Sequence, residues 1–569
     1  MQFTSILTTP AGFLMSFSRT KPSLLHHAIP GLARDLATQR IGRREFLTRA
    51  CAFGVTAPIA LELTGGYRPA YAEAKPIQGG TLRIQQNIKA LTDPRSYAWS
   101  EMGNLTRGFL EYLVQYNSDG SLQGMLLQTW DVNDTATVYR LALRPDVTWN
   151  NGDAFTARDV ARNFERWCDT TAPGNSMASR LEALIDPGTG QIIDGAIKLL
   201  DDLTIELTLR HPDITLMVNL ADYPAAIVHP SFEGGNPFEH GIGTGPFRPV
   251  EMQVGERCVL ERNLDHTWWG TAIFGGPYLD RVEFLDFGTD PSSWVAAADA
   301  GEVDLLYESV GDFIDVLDAL GWTQTKTDTT ATMIIRANAL AEVEGAKPYA
   351  DAAVRRALAM SVDNEICLEL GYAGRGQVAE NDHVSPLHPA HAELGPAIYD
   401  PAKAREDMAA AGQTEFEHEL VTLDDEWQRN TGDAVAAQLR DNGFKVRRSI
   451  QPGDTYWSNW QTYPFSATQW NHRPLGVQAL SLAYRSNAAW NETGFASDAF
   501  DGLLEEATSV VDVEERRKTM GKLQTILRNE GVMIQPYWRS LYNHHNGRVV
   551  GAEKHPSNEI HLHKIGFSG

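Results

Sequence analysis

Five histidines close to the C-terminus are the side chains of this sequence that could most directly hold a metal ion. Neutral imidazole is a common ligand of zinc, nickel and copper, so a metal-binding receptor is one interpretation. The five match no H-E-x-x-H motif. We expect them instead to be hydrogen-bonded or solvated and to hold no metal. They are His544, His545, His555, His561 and His563.

Signatures of the common catalytic sites are missing from the sequence. It contains no G-x-S-x-G elbow and no Walker sequence. Gly241–Val250 has three glycines at alternate positions but lacks the Lys-Ser/Thr of a phosphate loop, so a close backbone crossing explains it better. The cysteines form no CxxC pair, and we expect buried thiols, with one disulfide among the last three left open. They are Cys51, Cys168, Cys258 and Cys367. We therefore expect no catalytic residue, no metal and no cofactor.

An export signal is predicted in the first 72 residues. A basic stretch at residues 42–49 precedes a short, weakly apolar run, Ala50–Leu63, which is too short and polar to span a bilayer. Ala70 and Ala72 then form an A-x-A cleavage site. The basic stretch resembles the twin-arginine motif R-R-x-F-L, with Gly42 and Thr48 departing from its usual flanks. Its motif residues are Arg43, Arg44, Phe46 and Leu47. We expect a soluble periplasmic protein that folds before export.

Length and charge exclude some classes of partner. The chain has 569 residues, which predicts two to four domains, and a formal net charge of −24. Such an acidic surface repels nucleic acid and anionic membrane faces, so we expect neither as a partner.

The elements that would position a site alternate between strand and helix. Leu143–Val160 predicts a strand end, a tight turn at Asn151-Gly152 and a helix start capped by Thr156 and Asp159. Val138–Leu143 and Thr204–Leu209 alternate as strands do. From residue 284 onward, strands and helices follow each other, which favours an α/β fold. The predicted helices cover Asn104–Val114, Trp294–Ala300, Asp351–Val362, Pro401–Ala411, Asp433–Asn442, Phe500–Leu504 and Arg516–Leu527.

Six strings together resemble one protein family. They follow the family's order across about residues 78–550, and the family is the peptide/nickel-binding group (family 5, cluster C) of extracytoplasmic solute-binding proteins of ABC importers. The strings are Leu143–Val160, Gly243–Glu251, Leu260–Trp268, Ala298–Asp304, Asp351–Asp363 and Tyr399–Gly412.

The resemblance implies a fold and a function. The fold would be the two-lobed α/β periplasmic binding protein fold, type II, cluster C. Lobe I would span residues 75–331 with an extra subdomain near 103–235, lobe II residues 332–535, and residues 536–569 would return to lobe I. A monomer would close its hinge on a small-molecule or peptide ligand and deliver it to an ABC permease in the inner membrane.

The ligand-selecting segment of the family corresponds to Ala467–Pro474. Peptide-binding relatives often read W-x-G-D-N-P-D there, but this chain has Asn471, His472 and Arg473 in place of the acids. An arginine fork suits a carboxylate or phosphate. An anionic or zwitterionic ligand anchored near Arg473, with Trp470 stacking on it, is therefore one hypothesis. Alternatively, Arg473 pairs with an acid and points away from the cleft.

Further candidate ligand-binding residues have structural alternatives. The Trp490–Thr493 stretch offers a stacking ring and polar groups, whereas Thr493 could simply cap the helix before Phe500. Tyr97 and Trp99 follow the first strand, where core packing competes with a role in the cleft wall. The remaining candidates are Arg485, Trp490 and Asn491. Alternative functions are binding a nickel or other metal chelate, binding an oligosaccharide, docking on a chemosensor, or catalysis by a periplasmic enzyme.

Overall fold

The computed structural model describes residues 26–64, 75–510 and 512–569. The predicted cleavage site at Ala70 and Ala72 lies outside this part of the chain. The helices are α1 Ile29–Ala37, α2 Arg43–Ala52, α3 Ala57–Leu63, α4 Ser100–Thr106, α5 Ala157–Trp167, α6 Ser176–Arg180, α7 Leu216–Asn219, α8 Pro237–His240, α9 Thr271–Phe274, α10 Pro291–Asp299, α11 Phe313–Ala319, α12 Ala352–Met360, α13 Asn364–Tyr372, α14 Pro401–Ala410, α15 Glu426–Asp441, α16 Gly453–Asn459, α17 Gly476–Ala483, α18 Asp498–Ser509 and α19 Val513–Asn529.

The strands alternate with these helices over most of the chain. They are β1 Thr81–Gln85, β2 Val114–Tyr116, β3 Leu122–Gly124, β4 Leu127–Val132, β5 Val138–Leu143, β6 Ile185–Asp186, β7 Gln191–Ile192, β8 Ile197–Asp201, β9 Thr204–Thr208, β10 Phe247–Gln253, β11 Arg257–Arg262, β12 Arg281–Leu285, β13 Leu305–Ser309, β14 Thr323–Ala337, β15 Gly376–Val378, β16 Glu417–Leu423, β17 Lys445–Gln451, β18 Phe465–Trp470, β19 Tyr537–His545, β20 Val549–Val550 and β21 Gly566–Phe567.

One mixed sheet runs through the molecule, in the order β10-β11-β12-β1-β13-β19-β14-β18-β16-β17, with β15 paired to β19. Strands β14 and β19 connect the two halves of this sheet. β14 pairs with β19 up to Thr332 and with β18 from Thr332 to Ala337. The predicted lobe boundary at residues 331–332 falls where β14 changes its partner. The exact lobe limits stay a prediction, and the mixed sheet with helices between its strands agrees with the predicted α/β class.

A separate antiparallel sheet, β4-β5-β9-β8, lies within the region predicted as an extra subdomain. Helix α5 begins beside it, as the Leu143–Val160 pattern predicts. The carboxylate of Asp159 accepts a hydrogen bond from the Thr156 N–H at 2.8 Å, which forms half of a capping box. Val160, Phe164 and Trp167 turn one apolar face of α5 into the core. This stretch is therefore held by turn and cap chemistry.

The glycines of Gly241–Val250 allow a close backbone crossing, as predicted. A Cβ on Gly243 would lie 2.0 Å from the Phe109 carbonyl oxygen. Gly245 and Phe247 donate their N–H groups to the carbonyls of Phe109 and Gly108, at 2.9 and 3.0 Å. This crossing also explains why the predicted helix Asn104–Val114 is wrong. The helix ends at Thr106, because the following carbonyls bond to the crossing segment instead of to a helix.

The N-terminal helices pack onto the body of the protein. Phe46 and Leu47 of α2 are fully buried. Arg44 donates to the carbonyl of Ser118 at 3.0 Å and to that of Asp328 at 3.1 Å, so it joins the β2–β3 turn to strand β14. Among the described residues, no helix is both long and apolar enough to cross a membrane. The four cysteines are free and buried, in agreement with the thiol prediction.

Candidate functional site

The loop 470–474 is fixed to the strand that joins the two halves of the sheet. It leaves β18 at Trp470, beside β14. Thr330 donates its backbone N–H to His472 Nδ1 at 3.1 Å, and its hydroxyl accepts the Arg473 N–H at 3.0 Å. The side chain of Asn471 donates to the Ser100 hydroxyl at 3.1 Å. Thr330 and Ser100 both belong to predicted lobe I, so the loop, which belongs to predicted lobe II, contacts the other lobe.

Arg473 pairs with an acid that comes from the other predicted lobe. Its Nη2 lies 3.7 Å from Asp222 Oδ2 and 3.3 Å from the hydroxyl of Tyr223. The same carboxylate accepts two hydrogen bonds from Arg180, at 2.6 and 2.9 Å. Burial alone would raise the pKa of Asp222, but Arg473 and Arg180 hold it below its ordinary value. Two buried guanidinium groups thus share one carboxylate where the predicted lobes meet.

Trp490, more than Trp470, faces this charged group. Its ring lies 4.5 Å from the guanidinium carbon of Arg180 and 5.7 Å from that of Arg473. Trp470 contacts the Trp490 ring edge-on at 6.0 Å and donates its indole N–H to Glu492 at 2.8 Å. The hypothesis that Trp470 itself stacks on a ligand stays untested. Trp490 is therefore the tryptophan whose ring face lies against the two arginines.

The other candidate residues lie in different surroundings. Trp99 packs against Trp457 across the predicted boundary, with the ring centroids 3.9 Å apart and the ring planes tilted by 51°. Tyr97 is fully buried in the core. Asn491 bonds within its own turn, donating to the Phe495 carbonyl at 2.8 Å. Arg485 lines an open cavity of about 410 Å³ together with residues 170–175.

The structure also corrects one helix cap and adds residues that the sequence did not nominate. Ser497, not Thr493, caps α18, because its hydroxyl accepts the Phe500 N–H at 3.3 Å. Glu492 forms an almost fully buried ion pair with Arg336 at 3.0 Å.

The residues around Arg473 that the sequence analysis missed are Arg180, Asp222 and Tyr223. No local pattern marks them, because each lies some 250 to 300 positions from Arg473 in the chain; Asp222 and Tyr223 contact Arg473, and Arg180 reaches it through Asp222.

His383 is expected to make the protein less stable in acid. Its Nδ1 lies 2.7 Å from the Tyr484 hydroxyl, and burial, with His388 and Arg473 nearby, lowers its pKa from 6.5 to about 3. Below pH 6.5 the unfolded chain binds a proton there that the folded chain does not. Stability present above pH 6.5 is therefore lost as the pH falls toward 3, by about 1.4 kcal/mol per pH unit.

The measurement compares His383→Gln with the wild type by urea unfolding between about pH 7 and pH 4. The difference in unfolding free energy should shift in favour of the variant as the pH falls. His27→Gln, at an exposed site, should follow the wild type throughout. A constant difference between His383→Gln and the wild type at every pH would contradict the assignment.

Comparisons with known proteins identify the family. The model of bacterial extracellular solute-binding proteins, family 5 Middle, matches residues 121–492. The dipeptide-binding protein DppE of Bacillus subtilis is 22% identical over 502 residues, which cover 82% of this chain and 87% of that protein. The nickel-binding periplasmic protein of Escherichia coli is 28% identical over 311 residues, covering 53% and 56% of the two chains.

Solved structures show the same fold. The murein tripeptide binding protein MppA of Escherichia coli superposes with a TM-score of 0.76 at 19% identity, covering 88% of this chain and all of that one. DppA of Helicobacter pylori, in complex with the peptide STSA, gives 0.73 at 22%, covering 87% and 99%. The resemblance inferred from the six strings is confirmed. The chain belongs to the bacterial extracellular solute-binding proteins of family 5 and is the substrate-binding component of an ABC importer.

Proposed function

We propose that the protein captures a small anionic or zwitterionic solute at Arg473 by closing its two lobes. The observation that carries this proposal is the sharing of Asp222 by Arg473 and Arg180. A ligand carboxylate can replace Asp222 at Arg473, because the longer of the two ion pairs, at 3.7 Å, is the one that crosses the predicted boundary. Asp222 would keep its two hydrogen bonds from Arg180, at 2.6 and 2.9 Å. A small solute with a free carboxylate, such as an acidic dipeptide, can then take its place at Arg473.

Trp490 supports the same class of ligand. Its ring lies against both guanidinium groups, so a flat or aliphatic ligand body between the lobes would find an apolar surface beside its charged end. Binding energy gained only in the closed form shifts the open–closed equilibrium toward closure. The closed protein then delivers the solute to its permease, and we propose that it acts as a monomer.

Arg473→Ala tests the proposal. Calorimetric titration with the dipeptide Ala-Glu and with its C-terminal amide should show that the variant binds the free acid at least tenfold more weakly, because a charged hydrogen bond contributes about 1.5–3 kcal/mol. The amide should bind the wild type more weakly as well. Arg248→Ala, which removes an exposed arginine, is the control. Unchanged affinity of Arg473→Ala for the free acid would overturn the proposal.

We further propose that the protein reaches the periplasm through the twin-arginine pathway. The motif residues Arg43 and Arg44 are the first two residues of helix α2, and Phe46 and Leu47 are two of its buried apolar residues. Because Arg44 donates hydrogen bonds to the carbonyls of Ser118 and Asp328, an export receptor can bind this arginine only after α2 leaves this position.

Replacing both motif arginines by lysine is expected to retain the protein in the cytoplasm, since lysine lacks the planar fork that the motif presents. Immunoblots of periplasmic and cytoplasmic fractions measure the distribution. Arg40→Lys, three residues before the motif, should export normally. Periplasmic accumulation of the Arg43→Lys/Arg44→Lys variant at the wild-type level would refute this route.

A further inference from the structure

Three C-terminal side chains that the ligand proposal does not use lie close together. The nitrogen and oxygen atoms that His555, Glu559 and His561 can offer to a metal all lie within 4.8 Å of one another. The side chains of His561 and Glu559 are 9% and 3% exposed. The segment that carries them is built of turns between β20 and β21. It therefore brings two imidazoles and a carboxylate together without a helix or strand to impose their spacing.

The hydrogen bonds orient each ring. His555 Nε2 lies 3.1 Å from the Tyr116 carbonyl, which can only accept, so Nε2 carries the proton and Nδ1 has the lone pair. That Nδ1 accepts hydrogen bonds from the N–H groups of Ser557 and Glu559 at 3.2 and 3.4 Å, and a metal ion would replace them. A backbone carbonyl on the far nitrogen is the usual partner of a metal-binding histidine.

A cavity gives access to the three side chains. It has a volume of about 510 Å³, and His555, Glu559 and His561 all line it. Water molecules could therefore complete a coordination shell from the open side. His563 lies next to His561, with the rings stacked at 6.1 Å, and its Nε2 is buried without a hydrogen-bond partner among the described residues. The cluster thus contains a buried polar group that its protein surroundings leave unsatisfied.

We propose that His555 Nδ1, the Glu559 carboxylate and His561 Nε2 form a binding site for a divalent transition-metal ion such as Zn²⁺, with the remaining position open to the cavity. This departs from the sequence expectation that the C-terminal histidines hold no metal. The site is separate from Arg473 and does not depend on the proposed ligand.

The ligands are close to the geometry that a metal requires. His561 Nε2 and Glu559 Oε2 lie 2.8 Å apart. In a tetrahedral site with bonds of about 2.0–2.1 Å, they would separate to roughly 3.3 Å, and the proton on Nε2 would move to Nδ1 or leave.

The positive charge of Arg107 is expected to disfavour a metal ion at this site. Its Nη2 lies 3.3 Å from Glu559 Oε1 and competes with a cation for the carboxylate. A metal site and a purely structural ion pair consequently make opposite predictions for Arg107→Gln. Removing the guanidinium should strengthen metal binding at this site, whereas the loss of a structural pair would only destabilise the protein.

The test uses the full-length protein, with ZnCl₂ in calorimetric titration and CoCl₂ followed by its visible absorption. The wild type should bind one Zn²⁺ at the site, and Co²⁺ should give the intense spectrum of a four-coordinate ion. His561→Gln and Glu559→Gln should each weaken Zn²⁺ binding at least tenfold, and Arg107→Gln should tighten it. Zn²⁺ should also raise the melting temperature of the wild type but not of His561→Gln.

His27→Gln is the matched control. His26, His27 and Asp134 form a second group with metal-ligand spacing, but it is exposed. This substitution should leave the tight Zn²⁺ site unchanged. The proposal is overturned if the wild type binds no Zn²⁺, if His561→Gln binds it as tightly as the wild type, or if His27→Gln alone removes the binding. Weaker Zn²⁺ binding by Arg107→Gln would also contradict it.

Discussion

Replacing Glu492 with glutamine is expected to lower the free energy of unfolding by about 3–5 kcal/mol, because it leaves a buried arginine without a countercharge. Arg336 and Glu492 are 0% and 1% exposed, and their charged atoms lie 3.0 Å apart. Water cannot replace the lost carboxylate at such a depth. The carboxylate also accepts hydrogen bonds from Trp470 and from the Thr468 hydroxyl, at 2.8 and 2.7 Å. The substitution should therefore disturb the start of the candidate loop as well.

Urea unfolding of Glu492→Gln measures the change, and Glu419→Gln is its control. Glu419 pairs with Arg447 at 2.8 Å, but both side chains are about half exposed, so its loss should change the unfolding free energy by less than about 1 kcal/mol. In the double variant Arg336→Met/Glu492→Leu, apolar side chains replace both charges and should recover much of the lost stability. Equal stability of Glu492→Gln and the wild type would show that solvent reaches Arg336.

Local chemistry explains which parts of the fold the sequence could predict. Thr156 and Asp159 are three residues apart, and their cap forms as that spacing requires. Strand β14 is a harder case. The apolar end, Thr332–Ala337, has a sequence typical of a strand, but the polar first part from Thr323 does not. This first part is a strand because it pairs with β19, more than two hundred residues later in the chain. The pairing is a tertiary effect with no local signal.

The candidate site likewise contains some residues that a short stretch of sequence reveals and others that only the fold brings into place. Arg473 and Trp490 could be nominated because a broken family pattern and an aromatic-polar cluster are visible in short stretches. Asp222 could not, because an aspartate in an ordinary loop acquires its role only when the chain brings it within 3.7 Å of Arg473. The C-terminal histidines are the opposite case. The histidines are visible in the sequence. The turn that brings His555, Glu559 and His561 close enough to bind one ion is not.

Asp222→Asn is expected to destabilise the protein and, at the same time, to increase its affinity for an acidic ligand. Arg180, fully buried, and Arg473 would lose the carboxylate that they share, which should cost about 3–5 kcal/mol of unfolding free energy. If Asp222 occupies the place of a ligand carboxylate, its neutralisation removes the competitor. Ala-Glu should then bind Asp222→Asn more tightly than the wild type and raise the melting temperature of the variant by more.

Asp304→Asn separates the two effects. Asp304 is also buried and pairs with an arginine, Arg83, at 2.9 Å, but it does not contact the candidate loop. Its replacement should lower stability and leave the affinity for Ala-Glu unchanged. If Asp222→Asn binds Ala-Glu no better than Asp304→Asn does, Asp222 is only a structural partner of the two arginines. The carboxylate of the ligand must then be held elsewhere, because Arg473 cannot release Asp222 for it.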